Sequence, residues 1–195
     1  MNKFFNSVWV KCISCLLLII MISGGLLSVI SDLLYVSPEE RTGRAIKKIY
    51  GEEMPYTEIY NEEKDPLIEY DCGVINTIYE ISGEKSYVLF KTTGNAGYKN
   101  GTISLWVNVL VEDGKYSIDK VILNEFDKQT LMSRLTTEFY DNYKLSDVKD
   151  AYLNGKLFTT ELGHGEFSNP ITGATYSANA ANNAVNCVIN YLGVN

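Results

Sequence analysis

Histidine is almost missing from this chain: His164 is the only one in 195 residues. The cysteines show no zinc-type spacing either, which removes the usual nitrogen and sulfur ligand sets for a transition metal. No Ser or Cys forms a recognisable catalytic motif with His164, and its setting, Leu162-Gly163-His164-Gly165-Glu166, is that of a loop residue, so no catalytic role is assigned to it. Positive charge is scarce as well. With 17 Lys and Arg against 24 Asp and Glu, the formal net charge is −7, and no basic patch interleaved with aromatics offsets it, which argues against nucleic acid as a partner. No internal repeat or low-complexity tract is present.

Charge is missing altogether from Cys12 to Ser31, a stretch rich in Leu and Ile. At about 1.5 Å per residue this run would cross a hydrocarbon core of about 30 Å, so one N-terminal transmembrane helix is expected within residues 1–37, with membrane lipid around it. A cleaved signal peptide is the alternative: Lys3 and Lys11 make a basic start, and Val29 with Ser31 resembles a cleavage site. The apolar run is longer than the roughly 7–15 residues of a signal core, and Gly24-Gly25 is tolerated in a span. Cys15 begins the run rather than ending it, which rules out a lipoprotein site. Lys3 and Lys11 compete with Arg41, Arg44, Lys47 and Lys48, so charge does not decide orientation. Cys12 and Cys15 read as helix neighbours. Cys72 and Cys187 form either a disulfide or two free buried thiols, and sequence leaves both open.

Residues 38–73 read as a juxtamembrane linker. A short amphipathic helix is expected over Glu39–Tyr50, with Ala45, Ile46 and Ile49 on one side, and loop or edge structure over Gly51–Asp71. Val74–Ile81 and Lys85–Thr92 suggest a hairpin. Thr102–Val111 alternates, with Ile103, Leu105, Val107, Val109 and Val111 on one face, and the Asp113-Gly114 turn returns it through Tyr116–Leu123. Leu131, Leu135 and Phe139 predict a core helix over Lys128–Tyr143, and a shorter helix is expected over Asp147–Leu153. The order of these pieces predicts an α+β domain over 74–195, an antiparallel sheet packed with helices.

The chain's most informative stretch is Thr172-Gly173-Ala174-Thr175-Tyr176-Ser177, at the mouth of a helix. From Ala178 to Leu192, Ala181, Ala184, Val185, Val188, Ile189 and Leu192 make one apolar stripe, and Asn179, Asn182, Asn183, Asn186 and Asn190 are expected on the wet side. First-turn amides lack intrahelical acceptors and lie at the positive end of the helix dipole, so Thr175 stands where a phosphate would be held. Gly173 and Ala174 would let a bulky group approach the backbone. The plain reading is an N-cap whose oxygen satisfies a free amide.

This stretch resembles the flavin attachment site of the FMN-binding domain family, which includes the RnfG and NqrC subunits of ion-pumping membrane oxidoreductases. The family pattern D-x-x-[ST]-G-A-[TS] carries FMN as a phosphoester on its last hydroxyl residue. Thr172, Gly173, Ala174 and Thr175 match it, and Ser177 with the Ala-rich helix matches the segment that usually comes next in the family. Upstream, Tyr87 to Tyr98 and the Asp113-Gly114 hairpin are similar to the family's Gly-Tyr segment and hairpin, so the resemblance covers roughly residues 74–192. Two positions depart from it. Asn169 stands where the family has Asp, and Glu125-Phe126-Asp127-Lys128-Gln129-Thr130 replaces its Glu-Thr-Pro-Gly loop.

The resemblance implies a membrane-anchored flavoprotein with its C-terminal domain outside the cytoplasmic membrane. It also implies covalent FMN on Thr175, contacts from Thr172, Gly173, Ala174, Tyr176 and Ser177 and from the Ala178 amide, and loading by an ApbE-type flavin transferase. The function implied is that of an electron-transfer subunit of, or akin to, an Rnf/Nqr-type ion-translocating oxidoreductase, working with other membrane redox-complex subunits rather than as a self-sufficient enzyme. The alternatives are a flavin-free assembly or ligand-binding module of the same fold, and a stand-alone flavinylated shuttle or reductase.

Overall fold

In the computed structural model the backbone is described for residues 8–34 and 36–194, and side chains for all of these except 8, 11 and 27–34. The chain separates into two compact units, Met1–Thr42 and Gly43–Asn195. The first contains helix α1, Val8–Leu34. Among the described residues no helix is long and apolar enough to cross a membrane, which corrects the transmembrane helix expected over Cys12–Ser31. The part of that run with described side chains spans residues 12–26, about 22 Å of helix against a core of about 30 Å, and the side chains of 27–31 lie outside the description.

Helix α2, Pro38–Tyr50, starts in the first unit and ends in the second. The second unit continues with β1 (Tyr56–Asn61), β2 (Ile68–Tyr70), β3 (Gly73–Ile81), β4 (Ser86–Gly94), β5 (Ile103–Glu112) and β6 (Lys115–Phe126). All pairings are antiparallel, in the order β1-β3-β4-β5-β6, with β2 also on β3. Both predicted hairpins are present. The stretch over 51–71, expected as loop or edge structure within the 38–73 linker, supplies the strands β1 and β2. Three helices follow: α3 (Thr137–Asp141), α4 (Val148–Leu153) and α5 (Thr175–Val194).

The sheet is covered on both faces, which explains why β5 is buried at nearly every position. Ile103, Leu105, Val107 and Val109 belong to the core built with α5, alongside Ala181, Ala184, Val185 and Val188. Trp106, on the opposite face, joins Tyr79, Leu89 and Ile122 under Ala45, Ile46 and Ile49 of α2. The polar residues on that face pair with one another as burial requires. Trp106 Nε1 donates to Asn124 Oδ1 at 3.1 Å, and Asn124 Nδ2 donates to Ser104 Oγ at 3.2 Å.

Two expectations about helices are corrected. Lys128–Tyr143 is not one helix: a 3-10 turn spans Met132–Arg134, Leu135 leaves the helical region at φ −81° and ψ 80°, and only Thr137–Asp141 is α-helical. The stretch carries Ser133, Thr136 and Thr137, residue types of low helix propensity, and no side-chain hydrogen bond caps either short helix. Leu135 and Phe139 still reach the core, whereas Leu131 is exposed. The short helix α4 forms as expected, with Asp147 accepting from the Asp150 amide at 3.0 Å.

The second correction concerns the supposed wet side of α5. Asn182 and Asn186 are buried. Asn182 Oδ1 accepts from the Tyr143 hydroxyl at 2.7 Å. Asn186 clamps a passing strand of chain, accepting from the Phe158 amide at 2.8 Å and donating to its carbonyl at 2.9 Å. On the sheet side, Thr92 Oγ1 donates to the Ala184 carbonyl at 3.0 Å. A Cβ on Gly94 would overlap the backbone of Ala180 and Ala184, so α5 lies directly on the end of β4.

Candidate functional site at the start of helix α5

The segment leading into α5 turns sharply at Gly173, whose φ of +82° suits glycine and whose Cα faces open space. The turn closes with the Ala174 amide donating to the Ile171 carbonyl at 3.3 Å. Ala174 then accepts the first α-helical bond, from the Ala178 amide at 2.9 Å, which makes Ala174 the N-cap. Ala174 has no side-chain oxygen, so this helix has no hydroxyl cap, and the plain reading of the motif as an N-cap does not hold.

Thr175 is the first helical residue and is exposed, as are Thr172 and Gly173. Its own amide and those of Tyr176 and Ser177 precede the first intrahelical bond. The Ala178 amide, expected to face a phosphate, is already committed to Ala174. Ala174 is buried in the core, so it packs the turn and does not clear an approach. Tyr176 is 64% exposed, whereas Ser177 is buried.

Ser177 leads to a residue that sequence reasoning passed over. Its hydroxyl donates to Gln129 Oε1 at 2.8 Å, and the same oxygen accepts the Tyr98 amide at 3.2 Å. Gln129 Nε2 donates to the Asp127 carbonyl at 2.9 Å. A side chain at Gly97 or Gly101 would overlap this carboxamide. One buried Gln therefore ties the Gly97–Gly101 loop and the segment after β6 to the first turn of α5. Asn179 and Asn183 add bonds from the helix to the Ala96 carbonyl at 3.4 Å and the Asn95 carbonyl at 3.0 Å.

Backbone strain gathers in the same place. Among the described residues, non-glycine positive φ angles occur at Ala96 (62°), Lys99 (51°), Asn100 (55°) and Lys128 (56°), and otherwise only at Asp113 of the hairpin turn. Such angles cost about 1–3 kcal/mol each, persist where surroundings dictate them, and cluster at functional sites. They also bring two cations, Lys99 and Lys128, into loops around the start of α5. Lys99 Nζ lies 5.4 Å from the Tyr98 ring centre, and the Tyr98 and Tyr176 rings stand 6.3 Å apart. Tyr98 is thus at the surface beside the motif, whereas Trp106 is core.

Asn169 points inward and is 2% exposed. Its Nδ2 donates to the Phe139 carbonyl at 3.3 Å, and its Oδ1 accepts from Asn142 Nδ2 at 3.3 Å. Asn169 also touches the Tyr143 hydroxyl, a group that burial pushes far above the ordinary phenol range while Asn169 opposes that rise. Residue 169 pins the approach to α5 against α3.

A cavity of about 210 Å³ at the end of β4–β6 is lined by Thr93, Thr102, Ser104, Glu125, Phe126 and Asp127, and by no residue of 172–177. It falls below the roughly 300–1,000 Å³ of enclosing ligand pockets. A larger one, about 410 Å³, is lined by His164, Lys156 and Phe167 among others and by no residue of 172–177. His164 itself is exposed, with Nε2 3.2 Å from Glu161. Among the described residues no group of three or more His, Cys, Asp or Glu is placed to hold a metal ion. Compared with known proteins, the chain matches no family model, no curated protein and no solved structure.

Proposed function

We propose that this protein is a flavin carrier, with FMN attached through its phosphate to the Thr175 hydroxyl and presented outside the cytoplasm to other redox subunits. One observation carries the reading: Thr175 is exposed on the first turn of a 20-residue helix whose N-cap, Ala174, has no side-chain oxygen, beside amides that precede the first intrahelical bond. A phosphodiester there would accept from the amides of Thr175, Tyr176 and Ser177 and lie at the positive end of the dipole. Lys99 would add positive charge, Lys128 being paired with Asp127 at 3.3 Å, and the Tyr98 and Tyr176 rings an aromatic surface. When bound, the isoalloxazine supplies one- and two-electron chemistry. The protein's part is to hold, orient and keep charge near it. Neither of the two cavities is lined by a residue of 172–177, so the ring would sit largely uncovered, in keeping with the missing Glu-Thr-Pro-Gly loop. That exposure suits a carrier that meets its redox partners directly.

Loading needs a partner, because a threonine hydroxyl does not displace AMP from FAD unaided. An ApbE-type flavin transferase is the enzyme class proposed. One observation favours the flavin-free alternative: Ser177 and Gln129 satisfy each other beside the acceptor, so the loops cohere without a ligand. The deciding experiment is co-expression with a flavin transferase, followed by in-gel fluorescence of the denatured protein. Fluorescence is expected for the wild type and for Thr172→Ala and is expected to vanish in Thr175→Val. A non-fluorescent wild type would favour the flavin-free module, and a fluorescent Thr175→Val would exclude this acceptor.

A further inference from the structure

Cys72 and Cys187 are 115 residues apart in sequence, yet their sulfurs lie 3.0 Å from each other. Cys72 sits in the turn between β2 and β3, held by the Asn95 amide, which donates to its carbonyl at 3.0 Å. Cys187 is buried on α5, and Asn190, one turn further along, places Nδ2 3.6 Å from the Cys72 sulfur. The separation exceeds the about 2.05 Å of a disulfide by about 1 Å, a shift within reach of small side-chain rotations. We propose that Cys72 and Cys187 are a reversible dithiol–disulfide couple, oxidised by disulfide-bearing reagents, which staples the β2–β3 turn to the helix that begins at Thr175.

The two thiols have unequal roles. Cys72 is half-exposed, and its pKa is lowered, chiefly by the hydrogen bond from Cys187. Cys187 is pushed far up by that same contact and by burial. A Cys72 thiolate therefore attacks the incoming disulfide first, forming a mixed disulfide and releasing one thiol. Cys187 then gives up its proton and displaces the second thiol from Cys72. Two S–H bonds are lost, one S–S bond forms, and two electrons pass to the reagent, which leaves as two thiols. Closing a loop of this length restricts the unfolded chain strongly, so oxidation raises the melting temperature by about 10 °C.

The test uses the full chain and oxidised glutathione. After exposure and alkylation of remaining thiols, non-reducing peptide mapping is expected to show a Cys72–Cys187 linkage, a melting temperature higher by about 10 °C, and reversal of both by dithiothreitol. Cys72→Ser, altered at the accessible position so that the core is undisturbed, should lose both the linkage and the rise. Cys187 should then resist glutathione in the folded state. A stable glutathione adduct on Cys72 with Cys187 free, a linkage from either residue to Cys12 or Cys15, or an unchanged melting temperature in the linked form would each overturn the proposal.

Discussion

Replacing Asn169 with Asp installs the residue found at this position in the flavin-attachment pattern that the segment resembles, and the burial of this side chain sets the result. Asn169 is 2% exposed and donates to the Phe139 carbonyl. An ionised carboxylate cannot donate. The carbonyl would lose its partner, at a cost of about 1–3 kcal/mol, and a buried charge would add several more. Taking up a proton is the cheaper escape, since the protonated acid reproduces both the shape and the donor of the amide. With an ordinary Asp pKa of about 3.9 and about 1.4 kcal/mol per pH unit, keeping that proton at pH 7 costs about 4 kcal/mol, which caps the penalty.

The sign of the pH dependence follows from which state holds the proton. In Asn169→Asp the folded state binds it more tightly than the unfolded chain, so the folded pKa is raised. Stability is then close to wild type below about pH 3.9 and falls as pH rises towards the folded value. For a domain of this size the gap in melting temperature between variant and wild type should be near zero at pH 4 and about 10 °C at pH 7. Thermal melts of both proteins at four pH values measure it. A gap that stays constant with pH would refute the inward placement of residue 169, as would a gain in flavin loading of Asn169→Asp, which would mean that the side chain faces the transferase.

Two further substitutions probe how α5 is seated. Gly94→Ala places a methyl group in the backbone of Ala180 and Ala184 and should cost about 1–3 kcal/mol or more through overpacking, read as a lower urea midpoint with an unchanged slope. Asn186→Ala strands the Phe158 amide and carbonyl together and should cost about 2–4 kcal/mol, whereas Asn179→Ala, which loses a single exposed bond of 3.4 Å, should stay within about 0.5 kcal/mol of wild type in the same titration.

Much of the sheet was legible because its signals are local. Alternation through Ile103, Leu105, Val107 and Val109 and the Asp113-Gly114 turn specify β5 and β6 from within a short window. The apolar stripe of α5 and the Asp147 cap of α4 are equally local. What failed depends on the surroundings. Asn182 and Asn186 look wet by residue type, but Asn186 finds both an amide and a carbonyl at Phe158, while Asn182 finds the Tyr143 hydroxyl for its oxygen and leaves Nδ2 buried without a hydrogen bond. Leu131, Leu135 and Phe139 have helical spacing whether or not the chain between them is helical, and the low helix propensity of Ser133, Thr136 and Thr137 was the local sign against it. At the candidate site the helix that begins at Thr175 was legible from its apolar stripe. Gln129 and the strained backbone at Ala96, Lys99, Asn100 and Lys128 were not, because those φ angles are imposed by loop packing and leave no mark in residue type.

The first turn and the body of α5 meet opposite demands that a covalently loaded carrier would make. Its acceptor must protrude far enough to enter another enzyme's active site, yet the attached group must keep a fixed orientation afterwards. The first turn meets the first demand: Thr172, Gly173, Thr175 and Tyr176 are exposed, and no side chain caps the helix. The body of the helix meets the second through Thr92, Tyr143 and Phe158, which hold it by hydrogen bonds from three different segments, and through the direct seat at Gly94. Ser177 is the hinge between the two regimes, since its hydroxyl reaches inward to Gln129 from the same first turn that exposes the acceptor. A helix held this way is anchored to the sheet through Thr92 and Gly94, so a group attached at Thr175 would start from a backbone fixed in the core while remaining open to solvent.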